Sequence, residues 1–200
     1  MAFPQEKIFW TVEEYLEFEK TSEVRHEYVE GVLYPVNFDF DGMAGESRRH
    51  NRIAFRLGTK LENHLENSEC EVYFESVKMH VAATKYYYPD VVVVCDEQED
   101  DYSVKNPLLI VEVLSPTTER VDRAEKLLAY QKMPSVQEHI LVSSERVWIQ
   151  VYRRAEGDNW SVEQFLDLND EVVFSSINLT VKVADIYRNI VLPPGENAEL

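Results

Sequence analysis

Hydrophobic and polar positions divide the chain into segments with a helical period and segments with a strand period. Helical spacing places apolar residues about every third or fourth position along one face. The first such segment follows Thr11-Val12-Glu13-Glu14, a capping box in which Thr11 and Glu14 satisfy each other's free amides. Pro134 ends a later one. Four helices are predicted in this way, at 12–20, 47–67, 120–133 and 180–189.

Strand patterns fill most of the remaining sequence. Glu71 to Val81 alternates between two faces, whereas Tyr86 to Val94 and Pro107 to Leu114 are nearly continuous apolar runs, typical of strands that are covered on both faces. Arg25 to Pro35 predicts a short strand pair that bends around Gly31, and Phe38 to Glu46 predicts a loop. Further short strands are predicted at 139–142, 147–153, 160–166 and 171–175.

This order of elements predicts a fold class. Strands and a helix succeed one another in the middle of the chain, and antiparallel strands are added on either side, so we expect a mixed central sheet flanked by helices. The class is α/β, or α+β under a stricter definition. With 200 residues, of which 44% are hydrophobic, the chain fits one domain over 1–192, followed by a loose tail at 193–200.

The charge balance argues against binding to a polyanion. Twenty basic residues against 37 acidic ones give a net charge of −17, whereas affinity for nucleic acid depends largely on basic side chains. A local basic patch can reverse the sign of the field at a cleft, and the densest one is Arg48, Arg49, His50, Arg52 and Arg56. We interpret the acidic run at 96–101 as a solvated loop, because it lacks the glycine-centred spacing of an EF-hand.

The cysteines and the apolar runs bear on the compartment. Cys70 and Cys95 form no zinc-binding spacing, and we expect buried free thiols in a reducing cytosol. Apolar stretches such as Leu108 to Val111 are far too short to cross a bilayer, and the residues before the first helix do not have the pattern expected of a signal sequence. A cytoplasmic protein that does not contact membranes is therefore predicted.

Two carboxylates stand where carboxylates are costly. Asp90 and Glu112 each lie within one of the near-continuous apolar runs, and a buried carboxylate needs a hydrogen bond, an ion pair or a metal. Two acids on neighbouring strands could bind one magnesium or manganese ion and leave other positions for water and a phosphate. A lysine nearby could orient the water and stabilise the charge of the transition state.

Three stretches of sequence carry a family resemblance. They are Tyr88-Pro89-Asp90 with the valines that follow, Glu112-Val113-Leu114-Ser115-Pro116 with the residues before it, and Asp122-Arg123-Ala124-Glu125-Lys126 with Tyr130. Together with Thr11-Val12-Glu13-Glu14-Tyr15, Arg25-His26-Glu27 and His50, they resemble the Uma-two family of restriction endonucleases, which is abundant in cyanobacteria and belongs to the PD-(D/E)XK superfamily.

The resemblance implies a restriction-endonuclease-like fold and a Mg²⁺ or Mn²⁺ site with Asp90 and Glu112 as ligands. It also implies a departure, because Leu114 stands where the lysine of the superfamily motif would be, and Lys126 on the following helix is the natural substitute. Glu27 resembles an acidic residue that many members place near the metal. His50 and Arg49 open a predicted helix, where amides and basic side chains favour a substrate phosphate.

Several alternatives stay open at this point. Lys126 could pair with Asp122 one helical turn away, and Glu27 could pair with Arg25. The protein could be a DNA endonuclease, a catalytically inactive binding or assembly module with the nuclease fold, or a hydrolase of small phosphodiesters. Because nucleases of this superfamily often pair to cut two strands, a homodimer is expected.

Overall fold

The first two helices begin where their capping residues predict them. In the computed structural model, which describes residues 9–36, 47–115 and 125–194, α1 spans Val12–Glu19 and α2 spans Arg48–Leu65. Thr11 accepts a hydrogen bond from the amide of Glu14, whose carboxylate accepts one from the amide of Thr11. The hydroxyl of Ser47 caps α2. Both predicted helices are confirmed.

The core is built on a six-stranded sheet. Its strands are β3 (Glu71–Phe74), β6 (Val91–Val94), β8 (Pro107–Leu114), β9 (Glu138–Ser143), β10 (Ile149–Arg154) and β11 (Trp160–Phe165). Their order is β11-β10-β9-β8-β6-β3, and neighbouring strands are antiparallel except for the parallel pair β8 and β9. The predicted strand Pro107 to Leu114 is confirmed at both ends.

A second sheet has five strands, in the order β2-β1-β5-β4-β7. The predicted strand pair around Gly31 is confirmed, since β1 and β2 are antiparallel and Gly31 has a φ of 92° at their turn. Its strands are β1 (His26–Val29), β2 (Val32–Pro35), β4 (Lys78–Ala82), β5 (Lys85–Tyr87) and β7 (Ser103–Val104).

Two predicted strands are each divided between the two sheets, and both predictions are wrong in the same way. The segment from Glu71 to Val81 turns at residues 75–77, so that β3 and β4 join different sheets. The run from Tyr86 to Val94 is interrupted at residues 88–90, between β5 and β6. Apolar patterns indicate that a residue is buried, and they do not indicate which sheet it belongs to. A strand that crosses between sheets therefore keeps its pattern.

The predicted closing helix from Thr180 to Asn189 is also wrong over most of its length. Its first residues form β13 (Leu179–Lys182), which pairs with β12 (Glu171–Phe174), and α4 is only Val183–Ile186. The buried residues Val181, Val183 and Ile186 fit the period of a strand followed by that of one helical turn, which resembles the period of a longer helix.

Helix α2 covers one face of the six-stranded sheet. Its buried residues Ile53, Leu57 and Leu61 belong to the same apolar cluster as the inward residues of the sheet. Gly58 lets the helix approach β3 closely, because a Cβ at this position would stand only 1.9 Å from the ring of Phe74.

The opposite face of the same sheet is left to other elements. On β8, Leu109, Val111 and Val113 belong to the cluster beneath α2, and Ile110 belongs to a second cluster on the other side. Because side chains alternate along a strand, Glu112 shares the face of Ile110. Tyr130, from the third helix, also lies on that face.

The third helix is described only in part. The predicted stretch 120–133 contains α3 (Leu127–Gln131), preceded by π-helical residues 125–126, while residues 120–124 lie outside the described residues. The helix ends at Gln131, before Pro134. The predicted loop from Phe38 to Glu46 and most of the predicted tail also lie outside them. Among the described helices, none is long and apolar enough to cross a membrane.

The prediction of free thiols is wrong. Cys70 precedes β3, Cys95 follows β6, and the two form a disulfide with their Cα atoms 3.9 Å apart. The register of the two antiparallel strands explains the contact, because Glu71 stands opposite Val94 and the cysteines are the next pair outward. Spacing in the sequence carries no information on that register.

Candidate active site

The polar residues of the site gather where the chain crosses between the two sheets. We call this place the sheet junction and define it by residues 75–77, between β3 and β4, and 88–90, between β5 and β6. The amide of Glu75 donates to the carbonyl oxygen of Asp90 over 3.1 Å, which ties the two crossings together. Asp90 is buried, and its Oδ2 accepts a hydrogen bond from the amide of Val113 on β8. The junction therefore places Asp90 beside the strand that carries Glu112.

Glu112 is buried in the middle of β8, with a relative exposure of 3%. Its Oε1 accepts a hydrogen bond from the hydroxyl of Tyr130 over 2.7 Å and lies 3.4 Å from Nζ of Lys126. Leu114 is buried in an apolar cluster with Leu141 and Trp148. The structure thus brings Lys126 to Glu112 while the position of the usual motif lysine holds an apolar side chain.

Lys126 lies between two carboxylates. Its Nζ is 2.9 Å from Oε1 of Glu27 on β1 and reaches Glu112 on β8, so the lysine connects the two sheets. The same oxygen of Glu27 accepts from the amide of Tyr88 over 3.3 Å. Lys126 is 7% exposed, and it is therefore not a solvent-facing helix lysine. Its predicted alternative partner, Asp122, lies outside the described residues.

His50 meets Asp90 from the other side of the junction. It stands in the first turn of α2, where it is 4% exposed, and its Nε2 is 3.3 Å from Oδ2 of Asp90. Glu75 joins them, since one ligand atom from each of the three residues lies within 4.8 Å of the others. Sequence reasoning missed Glu75, because in an apparently continuous strand it looked like an ordinary alternating residue.

Arg49 is directed away from this cluster. Its Nε donates to the carbonyl oxygen of Ser144 over 3.1 Å, and its guanidinium forms an ion pair of 2.6 Å with Glu145. Both partners belong to the connection between β9 and β10. The structure therefore brings His50, but not Arg49, to the carboxylates.

Two aromatic residues lie behind Glu112. Burial, followed by the charge of Glu112, raises the pKa of Tyr130 well above its usual value, so that the hydroxyl stays protonated and donates to the carboxylate. The ring of His139 on β9 stands 5.0 Å from that of Tyr130, edge to face. Burial lowers the pKa of His139 to about 3, and neither of its ring nitrogens has a hydrogen-bond partner in the described part of the chain. His139 is therefore neutral near pH 7.

The donor set suits a divalent cation. Asp90 and Glu75 offer carboxylate oxygens and His50 offers an imidazole nitrogen, and these are groups that bind divalent metals in proteins. Lys126, which is held at Glu112, places a cation at the strand whose Val113 amide donates to Asp90. Such an arrangement can bind a metal and a phosphate side by side.

Comparisons with known proteins identify the family and the fold of this chain. A family model named Uma2, described as "Putative restriction endonuclease", matches residues 12–184. Two proteins of Synechocystis sp. PCC 6803 are similar to this chain. Protein slr1290 is 35% identical over 181 residues, covering 89% of this chain and 91% of the relative. Protein sll1609 is 28% identical over 174 residues, covering 84% and 94%.

A solved structure is similar in fold. It is the crystal structure of a "putative nuclease belonging to DUF820" from Anabaena variabilis, with a TM-score of 0.69 at 18% identity, and the match covers 89% of this chain and 97% of that one. This likeness confirms the predicted fold class, a mixed α and β structure of the restriction-endonuclease type. The family match spans most of the sequence and confirms the resemblance noted above. The chain therefore belongs to the Uma2 family.

Proposed function

We propose that the protein is a metal-dependent endonuclease that hydrolyses phosphodiester bonds of DNA. The observation that carries this proposal is the convergence of Lys126 and Glu112 next to Asp90 at the sheet junction. It is supported by a family and a structural neighbour that are both described as nucleases. Mg²⁺ or Mn²⁺ is the metal we assign, with Asp90 and Glu112 as ligands.

In this proposal the metal acts as a Lewis acid. When bound, it polarises a phosphoryl oxygen and makes a bound water more acidic. The remaining tasks belong to the chain. Lys126 orients the attacking water and stabilises the negative charge that develops on the phosphate, because a fixed cation in a site that excludes water is effective there.

Other residues hold these groups in place. Glu27 fixes the ammonium group of Lys126 at 2.9 Å and belongs to the site for that reason. Tyr130 fixes one oxygen of Glu112 by donating a hydrogen bond to it. A lysine has a long flexible stem, so contacts on both sides are needed before it can serve a migrated role.

A basic stripe on α2 gives DNA a place to bind despite the net charge of −17. Arg48, Arg52, Arg56 and Lys60 follow each other at four-residue intervals, and this spacing puts them on one side of the helix. Burial lowers the pKa of Arg56, and the charges of Arg52 and Arg188 lower it further. These guanidinium groups are therefore close enough to repel one another.

That repulsion is costly for the fold and favourable for a polyanion. Arg52, Arg56, Lys60 and Arg188 line a groove of about 500 Å³, in which Phe55 is 64% exposed. Asp185 also lines the groove and forms an ion pair of 3.0 Å with Lys60. Like charges at four-residue intervals destabilise a helix, whereas phosphates neutralise them. The basic stripe begins in the helical turn that carries His50, on the opposite side of the helix.

A second candidate function is a catalytically inactive nuclease-fold module that binds or assembles. It is favoured by Leu114 at the motif position and by the ion pairs of Lys126, which a purely structural network would also contain.

We further expect a homodimer. The edge strand β11 has an exposed Val162, and Leu166 follows it, so a partner could cover this region; sedimentation velocity would measure the mass. A cytoplasmic location also stays a prediction.

The test is cleavage of supercoiled plasmid by the purified protein with Mn²⁺, with Mg²⁺ and with EDTA. Asp90→Ala and Lys126→Ala are measured beside two matched controls, Asp96→Ala and Lys105→Ala, which change exposed residues of the same types. Cleavage that needs metal, disappears in both site variants and persists in the controls supports the endonuclease. Equal cleavage by all variants indicates a contaminant, and metal-independent DNA binding without cleavage favours the inactive module.

A further inference from the structure

Three side chains converge on the sheet junction from three separate elements. His50 comes from the first turn of α2, Glu75 from the turn between β3 and β4, and Asp90 from the residue before β6. Their ligand atoms lie within 4.8 Å of one another, close enough to share one ion. This set differs from the pair Asp90 and Glu112 that the sequence singles out.

The backbone holds these three residues firmly. Ser47 fixes the first helical turn by accepting a hydrogen bond from the amide of His50 over 3.1 Å. Glu75 is tied to Asp90 through its amide, and Arg25 donates to the carbonyl oxygen of Glu75. The residues are therefore brought together by the fold and do not depend on flexible surface side chains.

The electrostatics favour a cation with two positive charges. Two carboxylates, one of them buried, have oxygen atoms within 4.8 Å of each other, and a cation bound between them would offset their repulsion. Glu112 is engaged differently, because its Oε1 is held by Tyr130 and Lys126. The ligand set on the Asp90 side of the junction therefore needs a member besides Glu112, and His50 and Glu75 are in position.

We propose that His50 Nε2 and the Glu75 carboxylate are ligands of the metal beside Asp90, and that the imidazole makes the site selective for a transition metal such as Mn²⁺ over Mg²⁺. Magnesium binds oxygen ligands almost exclusively in proteins, whereas imidazole suits transition metals. This inference rests on the proposed function and assigns His50 to the metal, where the sequence favoured a contact with phosphate.

The experiment measures binding and needs no cleavage. Protein freed of metal with EDTA is titrated with Mn²⁺, and the electron paramagnetic resonance signal of free Mn²⁺ gives the affinity. Electron spin echo envelope modulation of the bound ion reports coupling to a nitrogen ligand. Labelling all histidines with ¹⁵N changes that modulation only if the nitrogen belongs to an imidazole, so wild-type protein alone decides whether a histidine is bound.

The variants then identify the ligands. Loss of a ligand should weaken Mn²⁺ binding at least as much as loss of a ligand's supporting hydrogen bond, which is about 10- to 100-fold. We expect this for His50→Gln and Glu75→Gln, with the nitrogen modulation absent in the first. His64→Gln on the exposed end of α2 and Glu71→Gln on β3 are the controls and should bind like the wild type. Mg²⁺ should displace Mn²⁺ only at a large excess.

Bound Mn²⁺ without imidazole coupling, or with coupling that survives in His50→Gln, would overturn the proposal. So would equal competition by Mg²⁺. Failure of the endonuclease proposal has a different signature: Mn²⁺ binds with imidazole coupling, but no plasmid is cut. Thermal unfolding of each variant, measured without metal, distinguishes a lost ligand from a lost fold.

Discussion

The two ends of β6 carry acidic residues of opposite character. Asp90 precedes the strand and is buried at the sheet junction, whereas Asp96 follows it and begins a largely exposed stretch, residues 96–102, that we call the acidic loop. The acids of the loop bind their own backbone and neighbours. Asp100 accepts from the hydroxyl of Ser103 over 2.6 Å and from the amide of Tyr102 over 3.0 Å, and these hydrogen bonds lower its pKa.

The difference shows that the number of carboxylates does not make a site. The acidic loop lines a cavity of about 550 Å³ together with Glu69 and Glu71, and its side chains are largely solvated. At the junction fewer acids converge, but Asp90 and Glu112 are buried, and an imidazole and a lysine lie next to them. Charges that are removed from water interact more strongly, so the junction can bind a specific ion while the loop stays hydrated.

The largest difference in cleavage is expected between substitutions of the two aspartates. Asp90→Asn keeps an acceptor for the amide of Val113 but removes a charge from the junction, and we expect cleavage to fall by about 1000-fold or more, because metal catalysis contributes several kcal/mol. Asp96→Asn should cleave like the wild type. Initial rates on plasmid measure both, and equal losses in the two variants would contradict the distinction.

The two lysines provide the next test. Lys126→Met should lower cleavage by about 100-fold, by the loss of a cation that stabilises the transition state. It should also destabilise the fold by about 3–5 kcal/mol, because Glu27 and Glu112 are left without it in a buried place. Urea unfolding measures the second effect.

The control is Lys105, whose ion pair with Glu99 is exposed and 3.9 Å long. Lys105→Met should leave cleavage and stability almost unchanged, since exposed pairs contribute little. A stability loss as large as that of Lys126→Met would mean that burial does not set the strength of these pairs.

Tyr130 and Tyr102 compare a positioning hydroxyl with an exposed one. Tyr130→Phe removes the hydrogen bond to Glu112, and we expect about a tenfold loss of cleavage, the lower limit for residues that orient a metal-site group. The loss should appear with Mn²⁺ binding weakened in parallel. Tyr102, which is 79% exposed in the acidic loop, should tolerate the same change. A purely structural role would lower stability without altering Mn²⁺ affinity.

The basic stripe on α2 is compared with an exposed lysine elsewhere on the surface in its effect on DNA binding. With Asp90→Asn present to prevent cleavage, Arg52→Ala should weaken DNA binding and reduce the slope of log affinity against log salt by about one, as expected for one lost phosphate contact. Lys20→Ala, at the end of α1 beside Glu17, is the control. Fluorescence anisotropy over a salt series measures both slopes, and identical slopes would remove the stripe from the DNA-binding surface.

The smallest effect concerns His139. Its pKa is about 3 in the fold and near 6.5 when unfolded, so between these values the unfolded chain binds a proton that the folded chain does not. Stability is therefore lost as the pH falls below 6.5. His139→Phe should reduce this loss in urea unfolding at a series of pH values, and His64→Phe should keep the wild-type dependence.

Part of this architecture could be predicted from the sequence. The capping residues Thr11 and Ser47 mark two helices, because local hydrogen bonds decide where a helix begins. The run from Pro107 to Leu114 is confirmed at both ends, since a strand that is buried on both faces has a strong apolar pattern.

The rest depends on contacts between distant segments. The breaks at 75–77 and 88–90 were hidden because each half keeps its strand pattern after the chain changes sheets. Glu75 was missed with the first break, and the pairing of Cys70 with Cys95 was missed because it follows from strand register. Asp90, Glu112 and Lys126 could be singled out, but the contact of the lysine with Glu27 on another sheet could not.

The most direct test of the account is a crystal structure of the wild-type protein with Mn²⁺, using anomalous diffraction to locate the ion. The account predicts a strong anomalous peak at the sheet junction, in contact with Asp90 and within ligand distance of His50 and Glu75. A peak confined to the acidic loop, or none at the junction under saturating Mn²⁺, would contradict the claim that buried convergence makes this the metal site.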